Sequence, residues 1–135
     1  GEWGNRAIQG VWNGYGNKAG HIFFDMSSIR SFIGSGTIQS ATITLTRRNA
    51  GGYSSATNIY LNGSSVSSAS GTPSYSHHTH IGSLSWGEKK TFTVPNSIML
   101  NIKNGISNSL ACYSNSYSSA YAEIVAATLT IKVKK

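Results

Sequence analysis

Histidines 77, 78 and 80 form the densest group of chemically active side chains in the sequence, in the pattern H-H-x-H. In an extended chain His78 and His80 fall on one side, as two imidazole ligands of a transition metal would. No cysteine or acidic residue lies nearby to complete a ligand set or to orient a catalytic base. Residues 64–85 around them are Ser-rich and lack periodicity, which predicts an irregular loop. The pattern therefore favours loop histidines that bind nothing or line a sugar site, and we predict no metal and no cofactor.

The sequence contains few residues that could carry out catalysis. The only carboxylates are Glu2, Asp25, Glu88 and Glu123, whereas a glycosidase needs two that face each other across the scissile bond. Glu2 is terminal, and Asp25 and Glu88 lie in turn contexts. No nucleophile elbow is present. The single cysteine, Cys112, lies in an apolar run typical of a small buried side chain. We expect no enzymatic activity and no catalytic residue, and so few carboxylates argue against a dedicated calcium site.

Aromatic residues in polar loops suggest a different chemistry. Flat rings stack on the C–H face of a sugar, and Asn, Ser, His or Arg side chains bond its hydroxyl groups. Tyr53, Tyr75 and Tyr117 lie among Ser, Gly and Asn, where a core ring is hard to place. These three tyrosines are the primary predicted ligand contacts. The secondary ones are His77, His78, His80, Arg47 and Arg48.

Charge narrows the class of ligand. Eleven Lys and Arg against four Asp and Glu give a net charge of +7, yet charged residues make up only 11% of the chain. Such a surface favours uncharged polyols well and polyanions weakly. The basic residues form no stripe, so nucleic acid is not predicted, and no apolar run approaches a membrane span. We interpret three basic groups as solvated strand ends and turns: Arg47-Arg48, Lys89-Lys90 and the C-terminal lysines. The first two groups would also supply long-range attraction to an anionic cell-wall polymer.

The hydrophobic pattern predicts an all-β, antiparallel fold. In residues 37–48, Ala41, Ile43 and Leu45 alternate with threonines, as a strand with one buried face requires. Apolar runs at residues 20–26 and 128–134 add two more core strands. One short helical turn is expected after the first of these, capped by Ser27 or Ser28 and ended by Gly34 or Gly36, with Asp25 as a cap or turn brace. Residues 96–105 are ambiguous between a helical turn and a strand. At 135 residues we expect one domain, 1–135.

Several motifs together resemble a known family. Phe23-Phe24-Asp25, Ser28-Ile29 and then G-T-I-Q-S-A-T-I-T-L at residues 36–45 resemble the jelly-roll modules related to DNRLRE domains. Those modules occur on bacterial surface proteins and on tail, baseplate or fibre proteins of phages of Gram-positive bacteria. Trp86-Gly87-Glu88 before a strand ending at Pro95, and Asn104-Gly105 before the penultimate strand, fit the same pattern. The likeness extends from about His21 to the C-terminus and rests on strands and turns.

The resemblance implies a jelly-roll-like β-sandwich that attaches a larger protein to a carbohydrate or cell-wall surface, outside the cell or on a virion. It supplies no catalytic residue. Because the chain starts at Gly1, we expect a module excised from a larger protein. The alternative function is structural, in which the sandwich acts as a spacer or homo-oligomerisation unit of a fibre or baseplate without binding a ligand.

Overall fold

The computed structural model describes residues 1–5, 7–13, 17–49, 57–67, 75–114 and 124–135. Side chains are described for residues 1–5, 21–49, 58–67, 79–112 and 124–135. All statements about side chains below refer to this second set.

The chain is an antiparallel β-sandwich. Sheet A consists, in spatial order, of β1 (Glu2–Gly4), β9 (Ile124–Lys134), β4 (Thr37–Arg47) and β7 (Lys89–Thr93). Sheet B consists of β2 (Ala7–Asn13), β3 (Asn17–Phe23), β8 (Ser109–Ser114), β5 (Thr57–Ser64) and β6 (Tyr75–Leu84). Every strand pair is antiparallel. The predicted all-β sandwich is confirmed.

The connectivity is that of a jelly roll. Apart from β2, which adds an edge strand to sheet B, the chain crosses between the sheets after β1, β3, β4, β6, β7 and β8. Apart from β2 and β3, the only consecutive strands within one sheet are β5 and β6. Strands distant in sequence therefore become neighbours, as in β1 beside β9 and β3 beside β8, which is the double Greek key arrangement of a jelly roll.

The predicted alternation in β4 places its apolar residues in the core. Ala41, Ile43 and Leu45 are buried, whereas the threonines between them are partly exposed. Ile43 lies opposite Leu129 of β9 and Phe92 of β7, and all three are buried. β-Branched residues pack well on such a pleated surface, so the pattern of this strand and its neighbours builds one wall of the core.

The predicted helical turn is an eight-residue helix, α1 (Met26–Ile33). Its cap is Asp25 rather than Ser27 or Ser28, because the Asp25 carboxylate accepts a hydrogen bond from the amide of Ser28 at 3.1 Å. Gly34 ends the helix at a φ of 52°, a backbone conformation that favours glycine. Because the Asp25 carboxylate caps α1, its role is structural.

The ambiguous segment forms a second helix, α2 (Asn96–Lys103). Ile98, Met99 and Ile102 are buried, whereas Leu100 is 42% exposed. The apparent strand alternation of Ile98, Leu100 and Ile102 was misleading, since the buried set follows helical spacing. Arg30 of α1 joins the two helices by donating from Nε to the carbonyl of Ile102 at 2.8 Å.

Residues 64–85 do not form one irregular loop, as the sequence predicted. Their second half is β6, which pairs with β5 along ten residues of sheet edge. The register shifts twice: Ile81 is skipped between the partners of Ile59 and Tyr60, and positions 77 and 78 both oppose Asn62. A β-bulge inserts an unpaired residue and so changes the phase of the alternation. These two bulges hid the strand from a period-two analysis.

Candidate functional site

The outer face of sheet B carries two neighbouring rings where β5 meets β6, one half-buried and one exposed. Ile59 and Leu61 point into the core, so Tyr60 between them points outward. The register places His80 opposite Tyr60. Their ring centroids lie 5.2 Å apart with a tilt of 40°. Tyr60 is half-buried and His80 is exposed, so both rings present surface to solvent.

Polar groups border these rings along the same two strands. Asn58, two residues before Tyr60, is exposed, and its cross-strand partner Ser83 is half-buried. We call Asn58, Tyr60, His80 and Ser83 the Tyr60–His80 patch. It offers two rings, an amide and a hydroxyl, which together donate and accept hydrogen bonds. It contains no carboxylate and no permanently charged side chain.

A positive charge lies at the margin of this patch. Lys90 donates from Nζ to the backbone carbonyl of Ser83 at 3.1 Å and lies 3.4 Å from the Glu88 carboxylate. Glu88 in turn accepts a hydrogen bond from the amide of Ser85 at 2.9 Å. That bond, and to a smaller extent Lys90, lower the pKa of Glu88. The Glu88 carboxylate therefore closes the turn before β7.

The other end of the same face is covered. His21, Asn62, Ser64 and Ser109 lie on the outer side of sheet B, yet none is more than 1% exposed. The chain leaving β5 crosses this end, because Ser109 donates from Oγ to the carbonyl of Val66 at 2.7 Å. We call these four side chains the covered polar cluster.

A hydrogen bond joins two members of the covered polar cluster, His21 and Ser64. His21 Nε2 and Ser64 Oγ are 3.0 Å apart, and the His21 ring stacks on buried Phe23 at a centroid distance of 5.9 Å. Burial lowers the pKa of His21. A neutral imidazole bonded to a serine and packed on a ring stabilises the sheet, and it is inaccessible to a ligand.

The structure places the predicted contact residues unevenly. Tyr53 and Tyr117 lie outside the described residues. The backbone of Tyr75, His77 and His78 belongs to β6, whereas their side chains lie outside the described set. His80 lies in the Tyr60–His80 patch, and Arg48 is exposed directly after β4. Of the predicted contact residues whose side chains are described, His80 alone lies in the Tyr60–His80 patch.

The structure corrects the prediction that Arg47 lies at the surface. Its guanidinium was expected at a solvated strand end, but the side chain is fully buried and donates from Nη1 to the carbonyl of Leu84 at 2.7 Å. The reason is register, since Arg47 continues the inward series of Ala41, Ile43 and Leu45 by one further step of two residues. Arg47 ties the end of β4 to the end of β6 and is not available to a ligand on the surface.

Tyr60 belongs to the Tyr60–His80 patch but was not among the contacts predicted from the sequence. Loop tyrosines were preferred, and a ring between two inward residues of a strand was set aside. Its signal was nevertheless present, because Tyr60 stands between the inward residues Ile59 and Leu61, which places its ring on the outer face of the strand. The histidine motif supplied the second half of the patch.

Other site types find little support among the described side chains. They contain no group of three His, Cys, Asp or Glu residues that would hold a metal ion. Burial raises the pKa of the Cys112 thiol to about 12, which makes it a poor nucleophile. Among the described helices, none has the length and apolar character needed to span a membrane.

No protein-family model matches this chain, and comparison with curated proteins finds no similar sequence. Its function has to be inferred from the residues and their geometry.

Proposed function

We propose that this chain is a non-catalytic module that binds carbohydrate or a cell-wall polymer through the Tyr60–His80 patch. The observation that carries the proposal is the pair of solvent-facing rings 5.2 Å apart on the outer face of β5 and β6. Two rings in a polar setting form a surface of the kind on which a sugar ring stacks. The alternative use of such rings, packing in the core, is already served by Ile59 and Leu61 on the opposite face.

The chemistry of the patch suits an uncharged polyol. The phenol and imidazole rings offer apolar faces with polar edges, and Asn58 and Ser83 supply further donors and acceptors beside them. A sugar presents the matching combination of C–H faces and hydroxyl groups. Because the rings are held on two paired strands, little conformational entropy is lost when a ligand binds.

The net charge of +7 extends the ligand class to anionic cell-wall polymers. Lys90 lies next to the patch, and its ion pair with Glu88 offsets part of its charge locally. Long-range attraction would therefore come from the basic chain as a whole and would be screened by salt. The resemblance to surface and phage modules supports a location outside the cell or on a virion.

A role without catalysis agrees with how two of the three described acidic side chains are used. Asp25 caps α1 and Glu88 closes a turn, so both stabilise local structure. A hydrolase that attacks glycosidic bonds would need a facing pair of such groups.

The proposal is tested by probing an array of glycans and purified cell walls with the wild-type chain and matched variants. Tyr60→Ala should weaken binding by about thirtyfold, the effect of losing a contact worth about 2 kcal/mol. Tyr60→Phe retains the ring and should retain most of the affinity, while His80→Ala should have an intermediate effect. Phe32→Ala is the control, because Phe32 is 38% exposed but lies beside Trp3 of sheet A.

The competing role is assembly, which exposed apolar side chains near α2 favour. Leu100 and Ile106 are 42% and 59% exposed, and such residues are used at interfaces between subunits. Absence of binding across all glycans and walls, together with a stable oligomer in solution, would replace the binding proposal by this one. Equal binding by wild type and Tyr60→Ala would show that the Tyr60–His80 patch is not the binding site.

A further inference from the structure

The dipeptide Asn-Gly occurs three times in the sequence, at residues 13–14, 62–63 and 104–105. This dipeptide has a chemistry of its own, because the backbone nitrogen of the glycine can attack the side-chain amide of the asparagine. Glycine favours the attack, since it has no Cβ to shield its nitrogen and its backbone is permissive. The structure describes both residues of the last two pairs, and their environments are opposite.

Asn62-Gly63 is protected by sheet B. Asn62 is 1% exposed, and its Nδ2 donates to the carbonyl of Ala111 at 3.4 Å. Gly63 is also buried, and it is paired on both sides, with Leu110 of β8 and Ser76 of β6. The glycine nitrogen can therefore reach the amide only when the middle of the sheet opens, which is a costly event.

Asn104-Gly105 forms the turn that ends α2. Both residues are exposed, and a Cβ built on Gly105 would meet no described atom within 4 Å apart from its chain neighbours. The Gly105 amide donates to the carbonyl of Ile102 at 3.2 Å, whereas the amides of Asn104 and Ile106 make bonds of 2.9 Å. The attacking nitrogen is thus held by a long hydrogen bond at a helix end, where local opening costs little.

We propose that Asn104-Gly105 is a site of spontaneous deamidation, at which Asn104 becomes a mixture of isoaspartate and aspartate. The Gly105 backbone nitrogen attacks Cγ of Asn104 and forms a C–N bond, while the Cγ–Nδ2 bond breaks. The proton of the Gly105 nitrogen leaves with Nδ2 as ammonia. Solvent water then opens the cyclic imide at either of its two carbonyl groups, which gives the two products. The reaction involves no oxidation or reduction.

The product changes the surface at the end of α2. A carboxylate replaces an amide close to Leu100 and Ile106, the exposed apolar side chains that the competing assembly role would use. Negative charge is unfavourable at a helix C-terminus. Isoaspartate also lengthens the backbone within the turn and so displaces the bonds from Ile106 and Ser107 to the carbonyl of Asn101. Deamidation would therefore loosen this turn and interrupt the apolar surface. The inference is independent of carbohydrate binding.

The test is incubation of the intact, folded chain at neutral and mildly alkaline pH, followed by mass spectrometry of its peptides. The peptide with Asn104 should gain the mass of deamidation at least about tenfold faster than the peptide with Asn62, which reacts only when the sheet opens. The rate should rise with pH, because the Gly105 nitrogen must lose its proton. Asn101, which precedes isoleucine on the same helix, should stay unmodified. Equal rates at Asn104 and Asn62 would overturn the proposal.

Unfolding separates the effect of the fold from that of the sequence. In urea, Asn62 and Asn104 both precede glycine in an open chain, so they should react at similar rates. A protected Asn62 in the unfolded chain would contradict the structural explanation.

Variants identify the reaction. Asn104→Gln should remove the modification, because the longer side chain cyclises far more slowly. Asn104→Asp supplies the chromatographic standard for one of the two products, and wild type should give a second, isoaspartate peak. A wild-type product that coelutes entirely with this standard would exclude the cyclic imide and contradict the proposed step.

Discussion

The outer faces of sheets A and B both consist of the outward-pointing residues of alternating strands, but the two faces carry different side chains. On sheet A, threonines line up across three strands: Thr42 pairs with Thr93 and Thr130, and Thr44 pairs with Thr91 and Thr128. On sheet B, one end of the face is buried under the chain and the other carries the Tyr60–His80 patch.

The hydroxyl groups of sheet A partly satisfy one another, as the 2.7 Å contact between the Thr44 and Thr91 oxygens shows. Such a face is solvated and needs neither cover nor ligand. Sheet B instead holds buried polar groups at one end and two neighbouring rings at the other. This difference is the reason why we propose that a ligand binds on sheet B rather than on sheet A.

Both outer faces depend on the stability of the core between the two sheets. Buried Arg47 contributes to that stability because it connects the end of β4 to the end of β6. Arg47→Ala should lower the free energy of unfolding by about 3 kcal/mol, because the Leu84 carbonyl loses its charged donor and a cavity remains. Arg48→Ala, at the exposed neighbouring position, should change it by no more than about 0.5 kcal/mol. Urea unfolding measures both. Equal effects of the two substitutions would show that Arg47 is solvated after all.

The covered polar cluster should be the next most sensitive region. His21→Ala removes a buried ring and the partner of the Ser64 hydroxyl, so we expect a loss of about 2 kcal/mol in thermal or urea unfolding. A change below about 0.5 kcal/mol would mean that this end of sheet B is as tolerant as an exposed face.

Acid should also act on sheet B through His21. Burial lowers the pKa of this imidazole in the folded state. Below about pH 6.5 the unfolded chain therefore binds a proton that the folded chain excludes, and the free energy of unfolding falls as the pH decreases further. In His21→Gln this part of the pH dependence should disappear. An identical pH profile in wild type and variant would contradict the assigned cause.

Sheet A should give the smallest effects. Thr44→Ala and Thr91→Ala should each cost less than about 1 kcal/mol, with a coupling of about 0.5 kcal/mol in a double-mutant cycle. Thr44→Val, which retains the β-branched shape, is the matched control for the hydroxyl. A coupling above about 1.5 kcal/mol would show that the threonine rows contribute more than solvated cross-strand pairs.

Periodicity in the sequence predicted the strands whose central core residues keep one phase. β4 and the final strand alternate without interruption over their core residues, and the caps of α1 could be recognised from Asp25 and Gly34. β6 could not be recognised, because each of its two bulges reverses the inward and outward positions. The phase of α2 was obscured by apolar residues at both strand and helix spacing.

The candidate site was partly predictable for the same reason. His80 was singled out by composition, but its neighbour Tyr60 is distant in sequence and joins it only through the pairing of β5 with β6. Arg47 was predicted at the surface because it is charged, although its position in the alternation of β4 places it on the inward face. Local chemistry thus identified candidate side chains, whereas tertiary pairing decided which of them meet.

The most direct test of the difference between the two faces is amide chemical-shift mapping of the wild-type chain with a glycan or cell-wall fragment. We expect perturbations around Asn58, Tyr60 and His80 and none around Thr44, Thr91 and Thr128. Perturbations confined to the threonine rows of sheet A, or the absence of any at the Tyr60–His80 patch, would contradict the proposal that the ligand binds on sheet B.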